Sequence, residues 1–473
     1  MAIATGVMFD GDLMRRYDRE GPRYTSYPTA LQFKEGVGAE DYARAAAHSR
    51  GAREGLPLSL YLHVPFCFSP CFFCGCNRIV THQLDRVNAY GRQLLAEISQ
   101  RGSYFDCNRT VEQMHFGGGT PTFLPKRLLI EIVDRLDHDF QLTSAKSRDY
   151  SIEIDPRGAD EGLMRILASL GFNRVSLGVQ DFDQSVQRAV NRVQPAEDVV
   201  RAYEAARKHG FGSINFDLIY GLPKQTPATF GATLDRVIAM RPDRLAAYGY
   251  AHLPHVFKAQ RQIKSSELPD AAARLTLLEL AIDKFCAAGY LYIGMDHFAL
   301  PSDGLAQAHI NGTLHRSFQG YTTHANRDLV NFGVSAIGQV GDLYVQNHKS
   351  IEDYQRATES GALPAHRGVV MSEDDLVRRE VIHGIMCHGR IDPAEIEHRF
   401  GIEFDVYFAR EIERLRTLEE DGLVRIDGRQ IELTPPGRLL MRCIAMTFDA
   451  YIGRGEEFRI TGRGAPARAS RLI

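Results

Sequence analysis

The chain has 473 residues, 44% of them hydrophobic and 24% charged, and a net charge of -3. That balance supports a large core and gives no strong electrostatic pull toward nucleic acid or a membrane surface. Eight cysteines in such a length exclude a disulfide scaffold, yet four of them fall between positions 67 and 76, which marks a metal site in a reducing compartment.

The first residues, "MAIATGVMFDGDLMRR", place Asp10 and Asp12 where a secretion signal needs an apolar core. No apolar run approaches the ~18 residues of a membrane span, so the expectation is a cytoplasmic protein without membrane or nucleic-acid partners. The preface "RYTSYPTALQFKEG" is too irregular to assign. Six strand-length runs follow: "LSLYLHVPF" (58–66), "VEQMHFGGG" (111–119), "YSIEIDP" (150–156), "RVSLGVQ" (174–180), "SINFDLIYGLP" (213–223) and "RLAAYGYAHLP" (244–254). Between them lie segments of helical spacing. One carries Val87, Tyr90, Leu94, Leu95 and Ile98 on one face, and another, "EDVVRAYEAARKHG", stops at Gly210.

Strand followed by helix, repeated, predicts a parallel sheet. Nearly every strand ends in a polar or glycine-bearing phrase, and β/α folds do their chemistry at strand C-termini. The fold class expected is α/β: an open six-unit (β/α)6 partial TIM barrel. Beyond it come a helix near "DAAARLTLLELAIDKFCAAGY", a strand at 290–298 and the Gly-rich "LVNFGVSAIGQVGDLY". From 371 the texture turns helical, and "LEEDGLVRIDGRQIELTPPGRLLMRC" reads as helix, strand, turn, strand, helix, similar to a winged-helix unit. The expected domains are an N-terminal extension at 1–50, the core and its extension at 51–350, a C-terminal winged-helix-like domain at 371–460 and a disordered tail at 461–473.

Cys67, Cys71 and Cys74 stand at C-x3-C-x2-C. Structural zinc takes two separated ligand pairs, and no second pair follows at a suitable distance. Three thiolates on one loop suit three irons of a [4Fe–4S] cube, with the fourth iron left open for a chelating ligand. Cys76 is either a fourth ligand or a thiol with another task. The single glycine between it and Cys74 favours the second, a catalytic role.

The other motifs are ambiguous by themselves. Glycines 117 to 119 could form a tight strand-exit turn or let a ligand reach bare backbone groups; beside the cysteine loop the second reading is stronger. Glu153 and Asp217 end different strands, where each could bridge ribose hydroxyls or cap a helix and pair with a base such as Arg157. Arg192 could grip a ligand carboxylate or lie on a solvated helix face. Asp155, Pro156 and Arg157 read as a turn with an internal ion pair. His252, His255, His297 and His309 lack ligand spacing, and Cys107, Cys286, Cys387 and Cys443 read as small buried hydrophobes.

Taken together, "RYTSYPTA", "VPFC…CFFCGCN", "FGGGTPT", "EIDPR", "GVQDF", "NRVQ", "NFDLIYGLP" and "YAHLP" resemble the oxygen-independent coproporphyrinogen III oxidase family of radical S-adenosylmethionine enzymes, in the family's own order. The resemblance implies a [4Fe–4S] cluster on Cys67, Cys71 and Cys74. It implies two molecules of S-adenosylmethionine, one near Tyr61, Gly118, Glu153 and Ile337, the other near Phe73, Gly119, Thr120, Gln180, Arg192, Asp217 and Ala251. The implied reaction is oxidative decarboxylation of two propionates of coproporphyrinogen III to vinyl groups, giving protoporphyrinogen IX, through a 5′-deoxyadenosyl radical. An unidentified low-potential electron donor and a monomeric protein complete the expectation. The segment 1–50 is expected to cover the substrate pocket, and removal of residues 1–36 is expected to leave radical generation intact and abolish product.

Two rivals are weighed. Heme-trafficking proteins and heme-degrading radical methyltransferases share the cysteine loop, but the Gly75–Cys76 pair and the "RYTSYPTA" preface favour the oxidase. An iron–sulfur transcription regulator would explain a winged helix, but no Lys/Arg-rich recognition helix is visible.

Overall fold

The computed structural model describes residues 6–105 and 108–452. Cys107 and the expected tail lie outside these residues, as do positions 453–460 of the expected C-terminal domain.

The six expected strands form: β1 (Leu58–Val64), β2 (Val111–Gly118), β3 (Asp149–Ile154), β4 (Arg174–Gln180), β5 (Ser213–Tyr220) and β6 (Arg244–Gly249), hydrogen-bonded in that order and all parallel. Helices α1 (Leu84–Gly102), α2 (Lys126–Phe140), α3 (Glu161–Ser169), α4 (Ala196–Lys208), α5 (Pro227–Met240) and α6 (Ala271–Ala287) follow the strands in turn. The register explains which side chains meet inside. Along β5, Ile214, Phe216, Leu218 and Tyr220 are buried, while Ser213, Asn215 and Asp217 take the alternate face. Across the sheet Tyr61, His115 and Ser151 stand side by side, as do Glu153, Ser176 and Asn215. The alternate face is therefore polar along much of its width. The helices cover the apolar face, and on α1 Val87, Tyr90, Leu94 and Ile98 are fully buried.

The sheet continues past the six units. The region expected to hold one strand at 290–298 is a hairpin, β7 (Leu291–Gly294) and β8 (His297–Ala299), antiparallel to β6 through β8. The chain reverses at Gly294 and Met295, both with positive φ. After the hairpin β9 (His315–Ser317) and β10 (Gly320–Thr322) comes β11 (Asp328–Phe332), a seventh parallel strand seated beside β1. Then β12 (Ile337–Val340), β13 (Leu343–Asn347) and β14 (Ala365–Val370) extend that edge antiparallel, and Lys34–Glu35 closes it. The Gly-rich phrase at 329–344 thus conceals strands, because its apolar runs are too short to separate from the surrounding turns. A buried network fastens this edge to α1. Glu97 accepts hydrogen bonds from the Gly333 N–H, the Tyr354 hydroxyl and Asn347, and pairs with Arg101 at 2.9 Å, with both charged side chains fully buried.

At the C-terminal end, α7 (Glu373–His383), β15 (Arg390–Ile391), α8 (Pro393–Phe400), α9 (Ala409–Glu420), β16 (Val424–Asp427) and β17 (Gln430–Leu433) have the element order of a winged helix. Their small sheet runs β15, β17, β16. The N-terminal segment is laced to this unit. Tyr24 donates to Asp449 at 2.9 Å, the Ala450 N–H donates to the Tyr27 hydroxyl at 3.0 Å, and Arg442 holds the carbonyls of Gly21 and Pro22. No helix among the described residues is long and apolar enough to cross a membrane.

Candidate active site

The loop after β1 carries the four clustered cysteines. It leaves the strand at Val64, and a two-residue pairing of Phe66–Cys67 with Ile79–Val80 returns the chain toward α1. Aromatic rings anchor it: Phe66 packs edge-on against Tyr90, and Phe72 and Phe73 sit against the cluster of Val186, Val190, Leu222, Tyr250 and Ile263. The Phe72 N–H donates to the Val190 carbonyl, and Gln260 bridges the carbonyls of Phe73 and Ala251.

The thiols of Cys67, Cys71, Cys74 and Cys76 open onto a cavity of about 170 Å³ at the C-terminal ends of β2 to β5. Phe73, Gly118, Gly119, Thr120, Glu153, Gln180, Arg192 and Asp217 line it with them. Three other expected residues are not in its wall. Tyr61 stands one layer deeper, stacked on His115 at 5.9 Å and hydrogen-bonded to His63 at 3.1 Å. Ala251 is tied to the cysteine loop through Gln260, which also holds the Phe73 carbonyl. Ile337 begins β12 and packs in a separate apolar cluster with Phe33, Tyr344 and Met371.

The glycine turn is required by its geometry. Gly118 has φ +113°, and a Cβ there would lie 2.6 Å from the His63 ring. A Cβ on Gly119 would fall 2.7 Å from the Phe66 carbonyl oxygen. Only glycines let the β2 exit lie flat against the cysteine loop. Gln180 is the strained position of the wall, with φ 65° at the end of β4, where the ladder with β5 shifts register.

The two carboxylates differ in state. Burial alone would raise the Glu153 carboxyl, but His115, at 3.4 Å, and the Gly118 N–H, at 3.1 Å, outweigh it and hold the group below its ordinary value. Asp217 is pushed up to about 6, first by burial and then by the negative charge of Glu153, against hydrogen bonds from Ser176 at 2.5 Å and Asn215 at 2.9 Å. Neither residue caps a helix or pairs with Arg157.

Arg192 is buried. It donates to the Gly178 carbonyl at 2.8 Å, to Asp155 at 3.2 Å and to the Cys71 sulfur at 3.5 Å. Asp155 and Arg157 do form the expected internal ion pair, at 2.6 Å, but both also line the cavity. They belong to the site, as do Arg78, which donates to the Cys71 carbonyl, and the inward-facing Ser176. His63 and His115 stand behind the wall, His63 against Gly118 and His115 bonded to Glu153, and motif reading overlooked both. Their signal was the inward register of β1 and β2, with His115 two residues before the motif glycines and His63 two before the loop.

The donor set fits an iron–sulfur cluster. Among the described residues no three His, Cys, Asp or Glu side chains converge as the ligands of a single metal ion would. Thiols spread around one cavity suit a multi-iron cluster rather than zinc. Cys74 is the readiest anion, pulled down to about 6 chiefly by a hydrogen bond from the Cys76 thiol, with Arg78 assisting. The Cys76 N–H also points at the Cys74 sulfur, at 3.4 Å.

Comparison with known proteins agrees with this chemistry. Residues 61–237 match the Radical SAM superfamily model, and residues 371–440 match the HemN C-terminal domain. An oxygen-independent coproporphyrinogen III oxidase of Pseudomonas aeruginosa is 51% identical over 446 residues, covering 94% of this chain and 96% of that protein. Its counterpart in Helicobacter pylori strain 26695 is 42% identical over 448 residues, covering 95% of this chain and 98% of that protein. The solved structure of the coproporphyrinogen III oxidase HemN from Escherichia coli, a radical SAM enzyme, superposes with a TM-score of 0.89 at 44% identity, over 94% of this chain and 100% of that one.

Proposed function

Since the chain belongs to the oxygen-independent coproporphyrinogen III oxidase family, we propose that it converts coproporphyrinogen III to protoporphyrinogen IX by oxidatively decarboxylating two propionate side chains to vinyl groups. The observation that carries this reading is the convergence of three motif cysteines, the glycine turn, Glu153 and Asp217 on one cavity at the strand C-termini. Cys67, Cys71 and Cys74 would hold a [4Fe–4S] cluster. When bound, the cluster and S-adenosylmethionine supply the carbon-centred radical that abstracts hydrogen from the substrate.

The chain's own task is to bind, orient and exclude. Gly118 and Gly119 offer bare backbone to the amino-acid end of the cofactor, and Glu153, kept ionised by His115, offers two acceptor oxygens to a ribose. Asp217, with Gln180, Thr120 and Phe73 nearby, would serve a second S-adenosylmethionine, and Arg192 its carboxylate. Tyr61 supports Glu153 through its stack on His115, Gln260 ties Ala251 to Phe73 behind the second site, and Ile337 is assigned to the first site by the family resemblance alone. Cys76, held against Cys74, acts on the reaction without being a cluster ligand.

The N-terminal segment covers the substrate. Arg23 reaches into the barrel, pairs with Asp296 and lies 5.7 Å over the Tyr248 ring, so its cation stands where a propionate could replace the Asp296 carboxylate. Closure matters because a primary carbon radical attacks any neighbouring C–H bond, and the reacting carbon must be held in near contact. The test is product analysis under strict anaerobiosis, with coproporphyrinogen III, S-adenosylmethionine and dithionite supplied to the reconstituted protein. Protoporphyrinogen IX with release of carbon dioxide is expected, and S-adenosylmethionine cleavage with no porphyrinogen product would overturn the substrate assignment.

A further inference from the structure

Three stretches wrap the cysteine loop, and none contains an acid. Residues 67–84, 184–196 and 251–266 hold no Asp or Glu, in a chain with 59 such residues. They are packed together. Asn191 donates to the Pro70 carbonyl, the Phe72 N–H to that of Val190, and the Phe257 ring lies 3.1 Å from the place a Cβ on Gly75 would take. The same stretches carry Arg188, Lys258, Arg261 and Lys264, all exposed, with His82 and His255 beside them. Acids resume at the margins: Asp183 is committed to capping a helix and Glu267 faces Lys224 and Lys264, whereas Asp85 and Glu197 are exposed in the first turns of α1 and α4.

This collar is also apolar where it meets water. Phe68, Val193 and Val256 are 59%, 57% and 54% exposed, and Val80 and Leu84 are exposed as well. Phe68 sits within the cysteine loop itself, its ring tilted against that of Phe123 at 4.1 Å between centroids. Cations that merely balanced an anionic cluster would point inward, as Arg78 and Arg192 do. Exposed cations around exposed apolar side chains need a different account.

We propose that this face docks a small acidic one-electron carrier protein that reduces the cluster. The inference rests on the reductive chemistry proposed above. The basic rim steers an acidic partner, and the apolar centre supplies contact area of the modest size typical of transient redox complexes. Docking here brings the carrier over Cys67 and Cys74, both partly accessible. The carrier gives up one electron and the cluster on Cys67, Cys71 and Cys74 gains it, with no bond made or broken.

The experiment uses the cluster-loaded full chain and an acidic flavodoxin as the carrier. Binding of oxidised flavodoxin is measured by calorimetry for the wild type, for Arg188→Glu/Lys258→Glu, for Val256→Glu and for the remote control Arg410→Glu. S-adenosylmethionine cleavage is then driven either by reduced flavodoxin or by dithionite. The charge-reversed protein should bind flavodoxin about tenfold more weakly at low salt, with a shallower salt dependence. Val256→Glu should also bind more weakly, and Arg410→Glu should bind as the wild type does. Cleavage should fall with flavodoxin and stay unchanged with dithionite. Unaltered binding in both collar variants would overturn the proposal, and so would an equal loss with dithionite, which would mean the cations serve the cluster or its ligand. Wild-type cleavage with dithionite tests the underlying reading separately.

Discussion

At the C-terminal ends of β1 to β5, polar side chains face an open cavity and keep bonding capacity in reserve: Asp217, Glu153 and the cysteine thiols all look into it. Around the N-terminal segment the polar groups are spent on one another. Tyr24 meets Asp449, Tyr17 meets Asp421, Arg442 meets two backbone carbonyls and Arg316 meets the Tyr24 carbonyl. The first region keeps groups that burial and like charge make uncomfortable, which is the mark of a site that waits for ligands. The second turns its groups on one another, which is the mark of a clamp.

The largest effect expected falls on the first region. Replacing Cys67, Cys71 or Cys74 with Ala should abolish the cluster, while Cys76→Ala should keep it and impair turnover only. Iron and sulfide content with visible absorption, measured anaerobically, checks all four. Loss of the cluster in Cys76→Ala to the same extent would make it a ligand.

Next comes removal of residues 1–36, which tests whether the clamp is separable. The preface alone suggests a detachable cover, but the segment buries Val7, Met14, Tyr17, Tyr24, Tyr27 and Phe33. At roughly 1.5–3 kcal/mol for each buried side chain, their loss rivals the ~5–15 kcal/mol by which domains are stable. The truncated chain should therefore lose cofactor cleavage and product together, with a collapsed thermal midpoint. The finer instrument is Arg23→Gln. It should leave the midpoint and cofactor cleavage near normal and lower product formation about tenfold, as expected for losing a charged hydrogen bond to substrate. Equal loss of both activities in Arg23→Gln would place Arg23 with the structural tyrosines.

Asp217 sharpens the same contrast, because function and stability should move in opposite directions. Asp217→Asn should weaken S-adenosylmethionine binding about ten- to a hundredfold. The carboxyl's folded value of about 6 lies above its ordinary 3.8, so its contribution to stability is full at low pH and is lost as pH rises through 6. At pH 7 the ionised group is a burden, and Asp217→Asn should raise the stability of the ligand-free protein by on the order of 2 kcal/mol. Denaturant melts at pH 4.5 and pH 7 decide it. A variant no more stable than the wild type at pH 7 would mean that Ser176 and Asn215 fully compensate the charge.

The two regions also differ in how far the sequence announces them. The cysteine loop, the glycine turn, Glu153 and Asp217 are readable because each occupies a strand end, and a parallel β/α repeat brings all strand ends to one side. Their chemistry is local in sequence even though the site is not. Arg192 and Asp155 were harder, since the residues near Arg192 leave it open between a ligand contact and a solvated helix face, and nothing local shows that it bonds Asp155, 37 positions away. The clamp was invisible for the same reason carried further: Tyr24 and Asp449 lie 425 positions apart, and nothing near either residue reports the other. The seventh parallel strand was missed because β11 has five residues set in a glycine-rich phrase, where no period develops.

The smallest effect expected is at that clamp. Tyr24 is 4% exposed, its hydroxyl donates to Asp449, and Asp449 is itself held above the usual carboxylate range by burial. Tyr24→Phe keeps the ring's packing and removes the donor. Since a buried acceptor left with fewer partners costs about 1–3 kcal/mol, while Asp449 still accepts from the Tyr451 N–H, the loss should sit near the low end, about 1 kcal/mol at pH 7. The sign of its pH dependence follows from Asp449. Its raised value makes the protonated form the comfortable one when folded, so the carboxyl's contribution is full in acid and lost as pH rises through its elevated value. Without the Tyr24 donor that value should rise further, because the hydroxyl stabilises the anion. The cost of Tyr24→Phe should accordingly be greatest above that value and shrink toward zero below it. Cofactor cleavage should not change at all. A Tyr24→Phe protein that melts like the wild type at pH 7 but makes less porphyrinogen would move this tyrosine out of the clamp and into the substrate's enclosure.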